Sequence, residues 1–409
     1  MKNYSEALEL IQNEVSIIGT QEVDTHSANA VIAEDIFSTH PVPSFPNSAM
    51  DGYCLRSKLT KHATSDNPIE LDIKGTIFAG DEPPINTNAS ASYEIMTGSR
   101  MPDDMDTVLP IEKCKVTEKG GRKLLVLNEA VKKGLNVRKA GEDFEKGELI
   151  LSKGTLINDH HKIGLIMNNK DKIHVFKKPL IGILTTGNEL EETSASSIPN
   201  SNGPFLESAI QSMGLKCMKN LHAGDEISPI IKQIQKLRDI GANLILTSGG
   251  VSAGKADFIP AALIQMGAEI IFHKLWIRPG KPVLMAKFPD GKIVFGLPGN
   301  PVSVAVGFRF LASQAIRVMQ GRGVEKPICS INMSDYKKSE KFCLFGKAIA
   351  NVDTNGQIQT EVMTGQESFK VKPFRDANCW AMIPEGIETI RKGEKIKIFP
   401  LSQDRNIVF

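Results

Sequence analysis

Three short turns rich in Gly, Ser and Thr follow strand-like segments in the second half of the chain. They read TTGNE (185–189), TSGGVSAG (247–254) and GLPGNP (296–301). Glycine lets backbone N–H groups approach an oxyanion, and hydroxyl groups and helix N-termini add further donors. Because ligands of an open α/β sheet bind at the carboxyl ends of its strands, these turns are candidates for one anion-binding site.

A stiff cationic loop supplies the charge that such a site needs. Arg278 and Lys281 lie in RPGKP (278–282), where proline and glycine restrict the backbone, so that little entropy is lost on binding. A single Gly-rich turn is usually only a turn, but three of them together with this loop favour an anion site. The chain has neither the dinucleotide fingerprint G-x-G-x-x-G after a first strand nor the P-loop motif.

Carboxylates recur beside the turns, at Glu189, Asp225 and Asp257. Clustered acids of this kind could hold Mg²⁺ against an anionic substrate or position a water molecule for hydrolysis. Taken singly, each is as well explained as a helix cap or a surface acid. The residues alone therefore leave both interpretations open.

The turns belong to a β-α-β pattern that starts after Lys178. Strands are predicted near 180–184, 215–221, 243–246 and 292–295, and helices near 204–213, 228–237 and 301–319. Asn300 is the expected cap of the last helix, with Pro301 at its first position. This alternation predicts a largely parallel sheet covered by helices.

The regions on either side of this β-α-β pattern have a different hydrophobic pattern. An amphipathic helix is predicted over 5–18 with Ser5 as its cap, and short β-type runs separated by turns fill 31–131. The segment 141–176 is mixed, and 325–409 returns to short alternating runs typical of a small β domain. A chain of 409 residues is also too long for one ordinary core, so several domains are expected.

Composition excludes several classes of protein. A net charge of +2 gives no general attraction for nucleic acid or an anionic membrane, and no stretch reaches the roughly 20 apolar residues that span a bilayer. The acidic amphipathic N-terminus does not resemble a signal peptide. The six cysteines are dispersed and the eight histidines scattered, which predicts reduced thiols in the cytoplasm and neither a disulfide framework nor a zinc site.

Taken together, these stretches resemble the molybdopterin molybdotransferase family, called MoeA in bacteria and the E domain in gephyrin. Eight pieces match in the family's order, and TSGGVS with GLPGNPVS is already fairly specific. The matching pieces are PNSAMDGY (46–53), GDEPP (80–84), TGSRMPDDMDTVLPIE (97–112), VRKAGEDFEKGELILSKGTLI (137–157), TTGNEL (185–190), TSGGVSAGKADF (247–258), IRPGKPV (277–283) and GLPGNPVS (296–303).

The resemblance implies a multidomain α/β plus β fold in an elongated four-domain subunit. Its central domain would be doubly wound, like the molybdopterin-adenylylating fold, and the other domains small and rich in β structure, the last a β barrel. The implied divisions are a discontinuous linker and dimerisation domain (1–26, 45–53 and 141–177), a mostly-β domain (27–44 and 54–140), an α/β domain (178–326) and a barrel (327–409).

The resemblance also implies an activity. Family members insert molybdate into adenylylated molybdopterin with Mg²⁺, release AMP and yield molybdenum cofactor. They work as homodimers, with the active cleft between the third and fourth domains of one subunit and the second domain of the other. The implied partners are adenylylated molybdopterin, molybdate and a second copy of the chain, with the adenylyltransferase and cofactor-receiving enzymes as further candidates.

The family's pattern assigns roles to residues of this chain. Gly249, Gly250 and Ser252 with the turn 298–300 would cradle pterin and phosphate, and others would gather molybdate or line the dimer side of the cleft. The implied substrate-binding residues are Thr97, Arg138, Asp143, Ser248, Gly249, Gly250, Ser252, Arg278, Lys281, Pro298, Asn300, Ser303 and Ser368. The implied catalytic acids are Asp51, Glu189, Asp225 and Asp257, of which the last three are also the implied magnesium ligands.

The chain departs from the family's pattern in three places. Pro46 stands where the family usually has Asp, and Arg278 stands where Lys is common, which keeps the charge but changes the hydrogen-bond geometry. The C-terminal region is the weakest match, since KFCLFGK (341–347) replaces an Arg-rich strand and GQES (365–368) a Gly-Ser-rich loop. Ser368 is the candidate oxyanion contact that remains in this region.

Two alternatives compete with this interpretation. A molybdopterin adenylyltransferase would share the central fold, but its turn usually reads GGTG where this chain has GGVS, and this chain has further domains. A non-catalytic scaffold or inactive paralogue is the other alternative. Changing Asp225 or Asp257 to Asn would abolish turnover in an enzyme and leave a scaffold unaffected. The sequence does not distinguish molybdate from tungstate, since both are tetrahedral dianions of similar size.

Overall fold

The structure is a computed structural model that describes residues 1–85, 88, 90–190, 197–251, 258–403 and 407. A mainly β region up to about residue 177 precedes an α/β region and then a C-terminal β region. This order agrees with the β, α/β and β regions predicted from the sequence.

Helix α1 (Tyr4–Glu14) opens the chain. Its cap is Asn3, and not Ser5 as predicted, because the Asn3 side chain accepts the Glu6 N–H while the Glu6 carboxylate accepts the Asn3 N–H. This reciprocal pair satisfies two donors at once, which a single hydroxyl does not. The helix is also shorter than the predicted range 5–18.

The β region before residue 177 consists, within the described residues, of a six-stranded sheet and three pairs of strands. Its elements are β1 (Thr20–Asp24), β2 (Ile36–Phe37), β3 (Asn47–Ser48), β4 (Gly52–Leu55), β5 (Ile69–Ile77), β6 (Ala91–Ile95), β7 (Thr107–Pro110), β8 (Lys115–Lys119), β9 (Arg122–Leu127), β10 (Val137–Arg138), β11 (Leu149–Leu151), α2 (Asp159–Met167) and β12 (Lys172–Phe176). The sheet has the order β7-β4-β6-β5-β9-β8. The antiparallel pairs β1–β12, β2–β11 and β3–β10 each join segments far apart in sequence.

The α/β region carries the turns that the sequence singled out. Its strands are β13 (Ile181–Thr186), β14 (Cys217–Ala223), β15 (Leu244–Ser248), β16 (Glu269–His273), β17 (Ile277–Arg278), β18 (Leu284–Lys287) and β19 (Ile293–Leu297). Its helices are α3 (Asn202–Ser212), α4 (Ile227–Asp239), α5 (Phe258–Gln265), α6 (Pro301–Gly307) and α7 (Ser313–Met319). The sheet order is β14-β13-β15-β19-β18-β16. The first four of these strands are parallel, as predicted, whereas β18 and β16 are antiparallel additions.

Helices cover both faces of this sheet. One face packs against α1, α3 and the helices α6 and α7, with Phe310 in the centre of the core. The other face packs against α4 and α5. Ile230, Ile234 and Leu237 of α4 are fully buried at a spacing of three and four residues, which is the stripe that the sequence predicts.

Helices α6 and α7 are continuous, joined by a π-helical turn at Phe308–Ala312. Contrary to the expectation that no segment is apolar enough, the helix Pro301–Met319 passes a length-and-hydropathy test for a membrane span. However, 89% of its tested window is buried inside the protein, which is the situation of a core helix. It is the one helix in the described part of the chain that passes.

The C-terminal region is a small closed barrel. Its strands are β20 (Ile328–Asn332), β21 (Tyr336–Lys337), β22 (Cys343–Val352), β23 (Ile358–Val362), β24 (Cys379–Ile383), β25 (Thr389–Ile390) and β26 (Lys395–Pro400). The order β22-β23-β20-β26-β24 returns to β22, so that the sheet closes. β17 of the α/β region pairs with the start of β22, which attaches the cationic loop to the barrel.

Candidate active-site cleft

A cleft of about 830 Å³ lies between the α/β region and the barrel. It is lined by the ends of β13, β14, β15 and β19, by the loop 277–282, and by residues 366–369 with Phe342 from the barrel. The predicted site residues that it brings together are Glu189, Asp225, Gly249, Gly250, Arg278, Lys281, Pro298, Asn300, Ser303 and Ser368. The prediction that the three turns meet at one site is therefore correct.

The two acids of the cleft are held on neighbouring turns. A Cβ atom at Gly187 would lie 2.5 and 2.6 Å from the Glu189 carboxylate oxygens, so glycine, with φ of +135°, is needed there. Asp225 is fixed by a reciprocal pair in which the Asn188 N–H donates to Asp225 Oδ2 at 3.2 Å and the Asp225 N–H donates to Asn188 Oδ1 at 3.0 Å. Both residues line the cleft.

Glu189 and Asp225 suit a magnesium ion that a substrate helps to bind. The described residues contain no group of three or more His, Cys, Asp or Glu that could hold a metal alone. Mg²⁺ is commonly bound by one or two carboxylates together with substrate phosphates, rather than by a cage of protein ligands. Asp257, the third predicted ligand, lies outside the described residues, as does Ser252.

The second turn shapes the floor of the cleft. Gly249 has φ of +98°, and a Cβ there would lie 2.6 Å from the Thr186 carbonyl oxygen, so only glycine fits. The Gly249 N–H already donates to the Leu297 carbonyl at 3.0 Å. Gly249 therefore contributes to the cleft through the shape of its backbone. Ser248, predicted to bind substrate, does not line the cleft: it is 2% exposed and its Oγ accepts a hydrogen bond from Asn202.

Asn202 is a residue of this site that the sequence did not single out. Its Nδ2 donates to Ser248 Oγ at 2.9 Å and to the Gly299 carbonyl at 2.7 Å. It therefore joins the second turn to the third from the first residue of α3. The polar pair Ser201-Asn202 before Gly203 was the available signal, but it is indistinguishable in sequence from an ordinary helix start.

The third turn connects the cleft to the barrel. Asn300 stands at the cap position of α6, as predicted, but its side chain makes no capping bond. Its Nδ2 instead donates to Ser368 Oγ at 2.9 Å, and the Ser368 carbonyl accepts the Val302 N–H at 3.1 Å. Ser368 thus lies directly against the third turn, where its hydroxyl can meet a bound anion.

The loop that carries Ser368 is held in place by hydrogen bonds to the barrel. Gln366 Oε1 accepts the Lys347 N–H at 2.8 Å, and its Nε2 donates to the carbonyls of Lys347 and Met363, each at 2.8 Å. Lys347 is fully buried and donates from Nζ to the Lys370 carbonyl at 3.0 Å, and its burial lowers the pKa of the ammonium group. This side of the cleft was predicted only through Ser368.

Arg278 and Lys281 bring positive charge to the cleft from the loop 277–282. Neither has an ion-pair partner within the part of the chain that the structure describes. Lys281 Nζ lies 5.8 Å from the Trp276 ring centroid and 5.9 Å from that of Phe342, at the outer limit for cation–π attraction. Arg278 is also held by the pairing of β17 with β22. Both charges are therefore available to an anionic ligand.

Four predicted residues lie in the first region of the chain and do not line this cleft. Asp51 accepts hydrogen bonds from the Thr97 N–H at 2.7 Å and from Thr97 Oγ1 at 2.8 Å, and these bonds hold the pKa of the Asp51 carboxyl below its usual range. Arg138 lies in β10, and Asp143 donates its N–H to the Val42 carbonyl. All four are absent from the lining of the cleft formed by the same chain.

The comparisons with known proteins agree with this architecture. Three family models match in order: the MoeA N-terminal region (domain I and II) at 2–168, the "Probable molybdopterin binding domain" at 182–318 and the MoeA C-terminal region (domain IV) at 332–401. A solved structure of a molybdopterin biosynthesis MoeA protein from Pyrococcus horikoshii is 26% identical, with a TM-score of 0.81, over 97% of this chain and 99% of that one. The fold and the cleft thus define a MoeA-type multidomain protein, and the predicted α/β plus β fold is confirmed.

Curated relatives identify the family within this class. The molybdopterin molybdenumtransferase of Staphylococcus aureus strain Mu50 is 30% identical over 98% of this chain and 95% of its own length. That of Synechococcus elongatus is 29% identical over 97% of this chain and 98% of its own. The chain belongs to the molybdopterin molybdenumtransferase family.

Proposed function

We propose that this chain inserts molybdate into adenylylated molybdopterin and releases AMP. The observation that carries the proposal is the cleft itself, where two acids and two cations without ion-pair partners in the described chain surround Gly-rich strand ends. Such a site suits a doubly anionic substrate pair, a phosphoanhydride and an oxyanion. The name of the relatives, molybdopterin molybdenumtransferase, supports the transfer of molybdenum to molybdopterin.

In this proposal, one group of cleft residues binds molybdate and another binds the phosphoanhydride. Arg278 and Lys281 would bind molybdate, with Ser303 and Ser368 as hydroxyl donors to its oxygens. The turn at Pro298–Asn300 would position the phosphoanhydride near the start of α6. With both anions held, the two dithiolene thiols would form sulfur–molybdenum bonds and pass their protons to a molybdate oxygen, which leaves as water. A water molecule would attack the phosphoanhydride, so that AMP leaves and the other phosphate stays on the pterin.

Mg²⁺ dependence is part of the proposal. Glu189 and Asp225 would hold the ion, with Asp257 as a further ligand suggested by the sequence. When bound, the ion would offset the charge of the phosphates and favour departure of AMP. One of these carboxylates would also accept a hydrogen bond from the attacking water molecule and so orient it.

We further propose that the active unit is a homodimer. Asp51, Thr97, Arg138 and Asp143 match the family's functional positions but lie outside the cleft of their own chain. A second copy could bring them to the open side of the cleft. We also propose a cytoplasmic location and contact with the adenylyltransferase and with cofactor-receiving enzymes.

The four-domain division of the chain remains a proposal as well. The expected ranges are 1–26 with 45–53 and 141–177, 27–44 with 54–140, 178–326, and 327–409. The pairing of β1 with β12 supports a discontinuous first domain, since it joins residues 20–24 to residues 172–176.

Substitution of Asp225 tests the assignment of the cleft. Asp225→Asn can still accept the Asn188 N–H, so the fold and melting temperature should be unchanged, while AMP release from adenylylated molybdopterin should fall roughly a hundredfold. Glu226→Gln, the same chemical change at the next position and outside the cleft, is the matched control. Wild-type turnover by Asp225→Asn would count against this site and favour a scaffold.

A further inference from the structure

A second pocket, of about 570 Å³, lies beside the cleft. Its walls are one face of α3, the first half of the helix 301–319, and the segments 369–374 and 401–403 next to the barrel. Aromatic rings dominate the lining; they are Phe205, Phe308, Phe369, Phe374 and Trp380. Phe205 is 40% exposed and Phe369 is 65% exposed, so the pocket presents open ring surface to a ligand.

The pocket and the cleft adjoin each other. Phe369 lines both. Asn202, at the pocket's edge, donates to the Gly299 carbonyl of the third turn. Pro301 lines the pocket, while the residue before it, Asn300, lines the cleft. A ligand whose phosphates lie against the third turn can therefore extend one end into the aromatic pocket.

We propose that this pocket binds the purine ring of the AMP half of the substrate. The inference rests on the proposed function, which supplies a molecule with a flat heterocycle on each side of a phosphoanhydride. A purine is largely apolar on its faces and stacks on aromatic side chains without specific geometry at its edge. A pterin carries more donors and acceptors around its ring, and burial against apolar walls would leave several of them unpaired.

The polar groups of the pocket suit the few that a purine has. Gln403 is 2% exposed and accepts at Oε1 from Arg309 Nη1 at 2.7 Å and from Ser313 Oγ at 3.1 Å. Its Nε2 has no hydrogen-bond partner among the described residues. This donor is buried from solvent, so that a purine ring nitrogen would accept from it only after the Gln403 side chain turns toward the pocket. Asn202 and Ser212 add polar edges elsewhere in the pocket.

Calorimetric binding of AMP and of ribose 5-phosphate to the full chain tests the proposal. The two probes share the phosphate and sugar, so that the ratio of their affinities isolates the base. Wild-type protein should bind AMP at least about tenfold more tightly than ribose 5-phosphate, since stacking of one base is worth that much. Phe205→Ala, which removes a ring, and Ala209→Trp, which fills the pocket, should each bring that ratio close to one without weakening ribose 5-phosphate.

Ile264→Ala is the control, since Ile264 is 62% exposed and lies on α5, on the opposite face of the sheet. Equal affinities for the two probes in the wild type, or an undiminished AMP preference in both variants, would overturn the proposal. So would a loss of molybdopterin affinity, with AMP binding unchanged, in Phe205→Ala, because the pterin would then occupy the pocket.

The test of the purine pocket and the test of the proposed reaction can succeed or fail independently. A protein that releases AMP in an oxyanion-dependent reaction but shows no AMP preference would keep its function and lose the purine pocket. A protein that prefers AMP but never releases it from adenylylated molybdopterin would keep the pocket as a nucleotide site and lose the function.

Discussion

The position of the Glu189 carboxylate depends on residue 187 being glycine, which has no side chain. The carboxylate oxygens of Glu189 come so close to Gly187 that a Cβ atom would overlap them, and the backbone there is left-handed. The obstacle to a larger residue is the end of a flexible side chain, which can move. A methyl group at 187 should therefore displace Glu189 rather than prevent folding.

We expect Gly187→Ala to reduce AMP release at least tenfold, because the displaced carboxylate no longer reaches its place in the cleft. The strained backbone should also lower the free energy of unfolding by about 1–3 kcal/mol. Gly291→Ala is the control, since Gly291 also has positive φ (+82°) but open space around it. If both variants lose stability but neither loses turnover, Glu189 has no role in the reaction.

At the residue scale, the sequence predicted the turns of the cleft better than the side-chain contacts around them. Glycine and proline spacing identified the turns because backbone shape is encoded locally. The burial of Ser248 and the contacts of Asn202 and Gln366 depend on segments far away in the chain, which no local pattern contains. The hydrogen bonds between Asp51 and Thr97 were likewise not predicted, and the cleft of one chain includes neither residue.

At the scale of elements, the loop 363–370 joins the two halves of the cleft. Gln366 fixes it to β22 through two hydrogen bonds with Lys347 and makes a third to Met363 within the loop, while Ser368 contacts the start of α6. The distance between the barrel and the third turn is therefore set by side-chain amides as well as by the pairing of β17 with β22.

Replacing Gln366 by Leu should loosen this loop. The change removes the bonds to the Lys347 N–H and to the Met363 carbonyl, and it should cost about 1–3 kcal/mol of unfolding free energy. Hydrogen exchange should accelerate at the Lys347 amide and across 363–370, and the Michaelis constant for molybdate should rise because Ser368 is no longer held. Gln21→Leu, on exposed β1, is the control. Unchanged exchange at Lys347 would contradict the account of this loop.

The elements themselves were predictable in proportion to their length and regularity. Helix α4 and the parallel strands have strong periodicity and agree with the prediction. The antiparallel strands β16 and β18 were not predicted, because short apolar runs do not encode strand direction. β17 has only two residues and exists because β22 is next to it, so its signal lies in the tertiary structure.

At the scale of the whole molecule, the proposal requires one chain to complete the site of another. The Asp51 carboxylate, kept ionised by its two bonds from Thr97, is exposed and available to a second copy. The cleft of the same chain contains Glu189 and Asp225 but not Asp51. In this proposal, an active site shared between two copies would bring these acids into one functional set.

Mixing two inactive variants tests this sharing. Asp51→Asn and Asp225→Asn homodimers should each be nearly inactive. After subunit exchange, half of the dimers carry one intact site, so that about a quarter of wild-type activity should return. No recovery after proven exchange would mean that Asp51 acts within its own chain, and full activity of the Asp51→Asn homodimer would exclude Asp51 from the reaction.

The most direct test of the proposed reaction is the coupling of AMP release to oxyanion insertion by the wild-type protein. Purified protein would be given adenylylated molybdopterin and Mg²⁺, first without oxyanion and then with molybdate or tungstate, while AMP and pterin-bound metal are measured. We predict AMP release that depends on the oxyanion and equals the metal inserted, with the more effective anion revealing the preference. Tight pterin binding without AMP release would contradict the proposed enzyme and favour a scaffold.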